Sequence, residues 1–364
     1  MKNLFKDTLL KKILIVLLFS IGVMLFLRFT IWYSELATAE FFMIYIGKIL
    51  ISGSQPNILE FYLSSPFPAL ITGLFSKISE SSNIRIFFAL LGFMSLFFYY
   101  KFTLNNVFEK RSAIITLILF AIQSTHIFMS KFVSADIIAF TLFAISIWYA
   151  SKLLKNKSNT SSYLILSLIY FLSIISYYPL ILFLPLIAIV ILLNDKRNGL
   201  IFLSVTLLLT LLYAILEWQL ISKQIMYFIN FQVDAGLFLG NLESNLYYLS
   251  AILIIYILLF SYRIKLGIPL NNLIIFSIFA SIMPLFNLFL INNYQSYFNL
   301  TYSLMFLILY IGVLFKEFLK QGRSMVFAIS FVFLVLTAIS FYHVSKFEQI
   351  QVKFNKDSIE KQLK

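Results

Sequence analysis

The chain has 364 residues, 61% hydrophobic and 12% charged, with a mean hydropathy of +0.94, a composition that excludes a soluble fold and leaves a membrane protein. Its net charge of +13 does not indicate a nucleic-acid partner, because Lys and Arg fall in short clusters between apolar runs and not along one polar surface. Zero cysteines exclude disulfides, thiolate metal sites and thiol nucleophiles, and two histidines argue against a His-rich metal site.

At the N-terminus Lys2, Lys6, Lys11 and Lys12 precede an apolar run from Ile13 to Leu27. The small-x-small triplet Ala37-Thr38-Ala39 lies well beyond that run and past Arg28, so the segment reads as an uncleaved signal anchor spanning about 12–32. Next, Thr38 to Ser52 has the spacing of an amphipathic helix. Phe41, Phe42, Tyr45, Ile49 and Leu50 are expected in the interface, with Glu40 and Lys48 toward water. Ser52-Gly53-Ser54-Gln55-Pro56 ends it, and a second short helix is predicted from Pro66-Phe67-Pro68 to about Lys77. Neither is long enough to span, so 33–83 is read as a first extracytoplasmic loop holding two interfacial helices.

A spanning helix needs roughly 20 apolar residues at 1.5 Å each. Further candidates lie at about 84–103, 112–130, 137–151, 161–176, 178–193, 199–217, 246–262, 272–291, 300–315 and 324–341, with Ser176-Tyr177-Tyr178-Pro179 the sole break in 161–193. The expected fold is therefore an all-α polytopic membrane protein of about eleven spans: one membrane domain over 1–341 and a charged C-terminal tail over 342–364.

Basic residues accumulate in every second loop, as cytoplasmic loops require. The clusters are Lys2 to Lys12; Lys101, Lys110 and Arg111; Lys152, Lys155 and Lys157; Lys196 and Arg197; Arg263 and Lys265; and Lys316, Lys320 and Arg323. This places the N-terminus in the cytoplasm. The other loops gather the acids Glu35, Glu40, Glu60, Glu80, Asp136, Glu217, Asp234 and Glu243. Carboxylates contribute little to topogenesis, so their asymmetry marks the extracytoplasmic face of the inner (plasma) membrane as the one that carries chemistry.

The order of a spanning helix, a loop helix with a carboxylate, a proline-led helix and then Arg85 at the head of the next span resembles the C-type-fold membrane glycosyltransferases. The closest resemblance is to the branch of protein O-mannosyltransferases and the lipid A aminoarabinose transferase (glycosyltransferase family 39-like), from which this chain is divergent. Ala39-Glu40 aligns with that branch's Asp-Glu pair, Lys48 with its following basic residue, and Ser64-Ser65-Pro66-Phe67-Pro68 with its His/Lys-Pro-Pro-Leu helix start. Asn83-Ile84-Arg85 is similar to the head of its second span, Ser130-Lys131 with Ala135-Asp136 to the basic residue and second Asp before the fourth, and Tyr294 to Tyr297 to an aromatic stretch before a late span. Two positions depart from the pattern: Ala39, or Ser34 if Glu35 is aligned instead, replaces the usual first Asp, and Tyr177-Tyr178 replaces a Lys-Gly.

The resemblance implies inverting transfer of a sugar from a polyprenyl-phosphate donor to a lipid, glycan or protein acceptor, a reaction that needs a base, a phosphate cradle and a lipid groove. It implies Glu40 as base with Glu35 as alternative, Asp136 as second carboxylate or acceptor positioner, Arg85, Lys131 and Lys48 at the donor phosphate, and Tyr177, Tyr178, Tyr294 and Tyr297 along the substrate and lipid groove. Each residue has a plainer reading: Glu40 as a solvated carboxylate, Asp136 as a helix cap, the cations as headgroup contacts, the tyrosines as an interfacial belt and His126 as an interhelical hydrogen bond. No metal ligand set is fixed, and the cofactor question stays open, a divalent cation included. A catalytically inactive relative and a transporter or flippase of a lipid-linked or polar substrate are the alternative functions; the latter predicts broken helices near the midplane.

Overall fold

The computed structural model describes residues 38–53, 65–78, 84–107, 110–121, 123–156, 159–224, 261, 263–264, 275–281 and 293–320. The expected spans at 12–32 and 324–341, most of those at 246–262 and 272–291, the tail at 342–364 and Glu35 lie outside the described residues. Among the described residues there is no strand.

The helices in chain order are α1 (Thr38–Ile51), α2 (Pro66–Ile78), α3 (Ile84–Val107), α4 (Lys110–Ala121), α5 (Ser124–Lys131), α6 (Ala135–Lys155), α7 (Thr160–Ser176), α8 (Leu184–Asn194), α9 (Lys196–Leu216) and α10 (Asn293–Lys320), with a 3-10 turn over Tyr178–Phe183 before α8. By length and apolarity Ile84–Asn106, Ala135–Lys155 and Lys196–Leu216 suffice to cross a membrane, and Ser112–Ala121, Thr160–Ser176, Tyr178–Asn194 and Thr301–Leu314 are shorter apolar helices. Short links make α3 and α4, α6 and α7, and α8 and α9 antiparallel neighbours.

α1 and α2 form the expected pair of short helices and meet backbone to backbone. A Cβ on Gly47 would overlap the Ala69 carbonyl and the Gly73 backbone, and a Cβ on Gly73 would overlap the Gly47 carbonyl. Ser65 starts α2, its hydroxyl accepting from the Phe67 N–H at 3.1 Å, while its own N–H donates to the Ile175 carbonyl at the end of α7 at 2.9 Å. Pro66 fits the first helical position because it has no N–H to lose.

Helix α6 is largely buried and rich in small residues, with Ala139, Ala144, Ser146, Ala150 and Ser151 on its packed surfaces. Small side chains let helix backbones approach where lipid supplies no hydrophobic drive. Helix α9 is the opposite: Leu200, Leu207, Leu208, Leu211, Leu212, Ile215 and Leu216 are all exposed, as a lipid-facing surface requires. From Thr301 to Leu314, α10 is buried almost all round.

The expected span at 112–130 is two helices and not one. Gln123 is extended (φ −66°, ψ 129°). Its N–H donates to the Phe120 carbonyl at 3.0 Å, and its side-chain amide takes the Leu119 carbonyl at 2.9 Å that the N–H of a continuous helix would have taken. That substitution lets the ladder break without leaving a buried carbonyl bare. The break at Tyr177 stands where Pro179 predicts it.

Between α8 and α9, Asp195 caps α9, accepting from the Asn198 N–H at 3.1 Å and the Asn198 side-chain amide at 2.7 Å. The Asn198 N–H bonds hold this carboxyl below the ordinary carboxylate range. Because the folded value is the lower one, the cap stabilises above the unfolded pKa and is lost as pH falls through the folded pKa.

Gly47→Leu should force α1 and α2 apart and lower the melting temperature of the detergent-purified protein, at an overpacking cost of about 1–3 kcal/mol. Lys48→Ala, one residue on but exposed, should leave it unchanged.

Candidate functional site

Glu40, in the first turn of α1, and Arg85, second residue of α3, form a forked ion pair. Arg85 Nε donates to Glu40 Oε1 at 2.8 Å and Nη2 donates to Oε2 at 2.5 Å. The Val133 N–H donates to Oε1 as well, at 3.0 Å. That amide needs a partner from outside a helix, because α5 ends at Lys131 and α6 begins at Ala135. Glu40 and Arg85 are each 1% exposed, and the Arg85 guanidinium lies 6.0 Å from the centre of the Phe132 ring.

Glu40 therefore does not face water, contrary to the expectation for an amphipathic α1. The contact at Gly47 turns the face bearing Glu40, Met43, Ile44 and Gly47 inward, leaving Tyr45 and Lys48 exposed. Lys48 is thereby kept apart from the buried pair. Lys131 is 2% exposed and ends α5, two residues before Val133.

Asp136 lies at the same junction in a different environment. Residues 129–133 and 137–141 are buried, whereas Ser134, Ala135 and Asp136 between them retain accessible surface. Asp136 is not the helix cap: Ser134 holds that position without a side-chain cap bond, and the Asp136 carboxylate lies against its own amide in the first turn. The positive end of the helix dipole favours a carboxylate there.

Across from α6, Tyr177 and Tyr302 are parallel, 6.2 Å apart between ring centres. Asp136, Tyr177 and Tyr170 are the electrostatic neighbours of the Tyr302 hydroxyl. Tyr178 is half-buried, with Tyr213 and Glu217 of the α9 end as its neighbours. Tyr294 and Tyr297, expected ahead of a span beginning near 300, sit inside α10, which starts at Asn293.

The sequence reading missed Tyr302 and the Val133 amide. Tyr302 follows Tyr294 and Tyr297 in the same helix, and apolar periodicity does not single out one tyrosine among them. His126 makes the interhelical bond expected of it, its Nε2 2.9 Å from Ser95 Oγ on α3. Among the described residues no group of three or more His, Asp or Glu is placed to hold a metal ion.

Three links thus converge on one end of the bundle: Glu40–Arg85–Val133, Asp136 with Tyr302 and Tyr177, and Ser65 with Ile175. Arg85→Ala, which strands the Glu40 carboxylate in the interior, should cost about 3–5 kcal/mol, whereas replacing both partners by Glu40→Leu with Arg85→Met should recover most of that loss. A double-mutant cycle on melting in detergent measures it.

Residues 64–221 match the family described as dolichyl-phosphate-mannose-protein mannosyltransferase. No curated protein is significantly similar in sequence. Among solved structures, the archaeal oligosaccharyltransferase AglB of Archaeoglobus fulgidus, in complex with an inhibitory peptide and a dolichol-phosphate, superposes with a TM-score of 0.51 at 12% identity, over 92% of this chain and 55% of that one. The same organism's oligosaccharyltransferase tethered to an acceptor peptide containing an NVT sequon gives a TM-score of 0.54 at 12% identity, over 91% of this chain and 54% of that one. The chain spans about half the length of these structures. The chain thus shares the fold of these membrane oligosaccharyltransferases, and within it residues 64–221 are similar to the mannosyltransferase family.

Proposed function

We propose that the chain transfers a sugar from a polyprenyl-phosphate donor to a hydroxyl of a lipid, glycan or protein acceptor, with inversion, and that Asp136 is its base. The acceptor hydroxyl gives its proton to the Asp136 carboxylate while its oxygen bonds to the anomeric carbon. The anomeric bond to the phosphate oxygen breaks, and the polyprenyl phosphate leaves with the electron pair. The observation that carries this assignment is the contrast between the two carboxylates. Glu40 is closed off by two guanidinium bonds and one amide bond, whereas Asp136 stands at the accessible gap in an otherwise buried stretch.

A base must reach the proton it takes, so the role implied for Glu40 passes to Asp136 and Glu40 becomes a positioning residue acting through Arg85 and Val133. Lys131 and Arg85, both buried, contribute positive field behind the departing phosphate without touching it, and Tyr177 and Tyr178 stand on the approach to it. Support for a lipid-linked donor comes from the mannosyltransferase family match and from the dolichol-phosphate held by the archaeal structure. The alternation of basic clusters puts this end of the bundle on the extracytoplasmic side.

The catalytic test uses the purified full chain in lipid nanodiscs with polyprenyl-phosphate hexoses and pentoses as donors. Wild type should release polyprenyl phosphate and glycosylate an acceptor, and Asp136→Asn should slow that by about 10²–10⁴-fold, the usual worth of a positioned base. Equal rates in the two proteins would remove Asp136 from the chemistry, and no donor turnover by wild type would leave the inactive-relative reading, which Ala39 and the sealed Glu40 favour.

Topology is tested separately, since a chain without native cysteine can be labelled at one introduced thiol. A membrane-impermeant maleimide added to intact cells should label Lys48→Cys and not Lys196→Cys, both positions being exposed on the protein surface. The reverse pattern would invert the assignment of faces.

A further inference from the structure

Tyr302 is 1% exposed, and its hydroxyl has no hydrogen-bond partner among the described residues. A buried phenol hydroxyl without a partner forfeits about 1–3 kcal/mol, so a position that keeps one calls for a partner that arrives from outside. Its neighbours are informative. The Asp136 carboxylate is close enough to act on it electrostatically, yet no hydrogen bond joins the two. The Ser134 hydroxyl, two residues from Asp136, is also buried without a partner. The walls are aromatic: Phe140 lies 5.1 Å and Phe143 5.4 Å from the Tyr302 ring, with Tyr177 parallel to it.

An uncommitted phenol hydroxyl ringed by aromatic side chains, with a carboxylate near it that borders the accessible gap at 134–136, matches the chemistry of a sugar ring. A pyranose offers hydroxyls that both donate and accept, and C–H faces that lie on aromatic rings. Water alone would satisfy the polar groups without any use for the rings. A polyprenyl chain would use the rings and leave the hydroxyl and the carboxylate bare.

We propose that Tyr302 and Asp136 form a pyranose-binding subsite, in which the Tyr302 hydroxyl donates to a sugar hydroxyl oxygen and the Asp136 carboxylate accepts from a hydroxyl of the same ring, with Tyr302 as a positioning residue that selects the sugar. This deepens the proposed transfer reaction and rests on it for its biological purpose, but the binding it describes is measurable without turnover.

The test is the melting temperature of the purified full chain in nanodiscs titrated with methyl glycosides of several hexopyranoses and pentopyranoses, with glycerol as a polyol control. At least one glycoside should give a saturable rise in wild type that Tyr302→Phe and Asp136→Asn both lose and Lys77→Ala, at an exposed position on α2, retains. Tyr302→Phe keeps the ring, so the packing of the core stays. In the transfer assay Tyr302→Phe should raise the KM of a sugar acceptor by about tenfold, the worth of one hydrogen bond, with a smaller effect on kcat.

Wild type binding no glycoside, or Tyr302→Phe binding the same glycosides with the same strength, overturns the subsite. Glycoside binding without any donor turnover would leave the subsite standing and reject the transfer reaction. Turnover with an acceptor KM indifferent to Tyr302 would do the reverse.

Discussion

The contact on which the site's geometry depends is the buried pair between Glu40 and Arg85. It reaches across 45 residues of chain and joins three elements that share no helix: the first turn of α1, the head of α3 and the extended link between α5 and α6. Taking two charges out of water is expensive, and such a pair adds little net stability over apolar packing. What it supplies is position. The guanidinium fork fixes the angle of α1 over α3, and the third bond, from the Val133 N–H, fixes the link that carries Lys131 on one side and Asp136 on the other. The orientation of Asp136 is thus set by a carboxylate that does not itself reach the opening.

Bilayer physics explains why the irregular backbone is where it is. In lipid every N–H and C=O must be satisfied within the protein, so a helix breaks only where something else takes the freed groups. At Gln123 the side-chain amide takes the Leu119 carbonyl. At Phe132–Ser134 the Glu40 carboxylate takes an amide. At Tyr177 the N–H reaches back to the Ser173 and Ile174 carbonyls, each at 3.0 Å, before Pro179. Beside the break at Gln123, the rings of Phe120, His126 and Phe140 pack on one another.

Much of this architecture is legible in the sequence. The helices expected at 84–103, 137–151, 161–176 and 199–217 appear as α3, α6, α7 and α9, and the two short helices of the first loop begin and end within a residue or two of Thr38–Ser52 and Pro66–Lys77. Hydrophobic runs and Pro, Gly and Ser punctuation suffice for that, because lipid enforces the helix. Three features were illegible, two of them because they depend on what a side chain meets from elsewhere in the chain. Glu40 has the periodicity of a solvated residue until Arg85 and Gly73 turn its face inward. The start of α10 at Asn293 is polar by composition, so an apolar run does not mark it. Tyr302 is one more tyrosine in the sequence, and its neighbours Phe140, Phe143 and Tyr177 come from other helices.

The two carboxylates at the junction sit in opposite environments. With Ala39 in place of an Asp, the one carboxylate left in the first turn of α1 is Glu40, and the longer side chain folds back onto Arg85. A carboxylate fixed by a guanidinium fork is a poor base, since the fork occupies the oxygens that would accept a proton. Asp136 has no such partner, lies in the first turn of α6 and borders the accessible gap. The two acids are thus held differently: Glu40 ties α1 to α3 and to the link before α6, and Asp136 borders the accessible gap without such a tie.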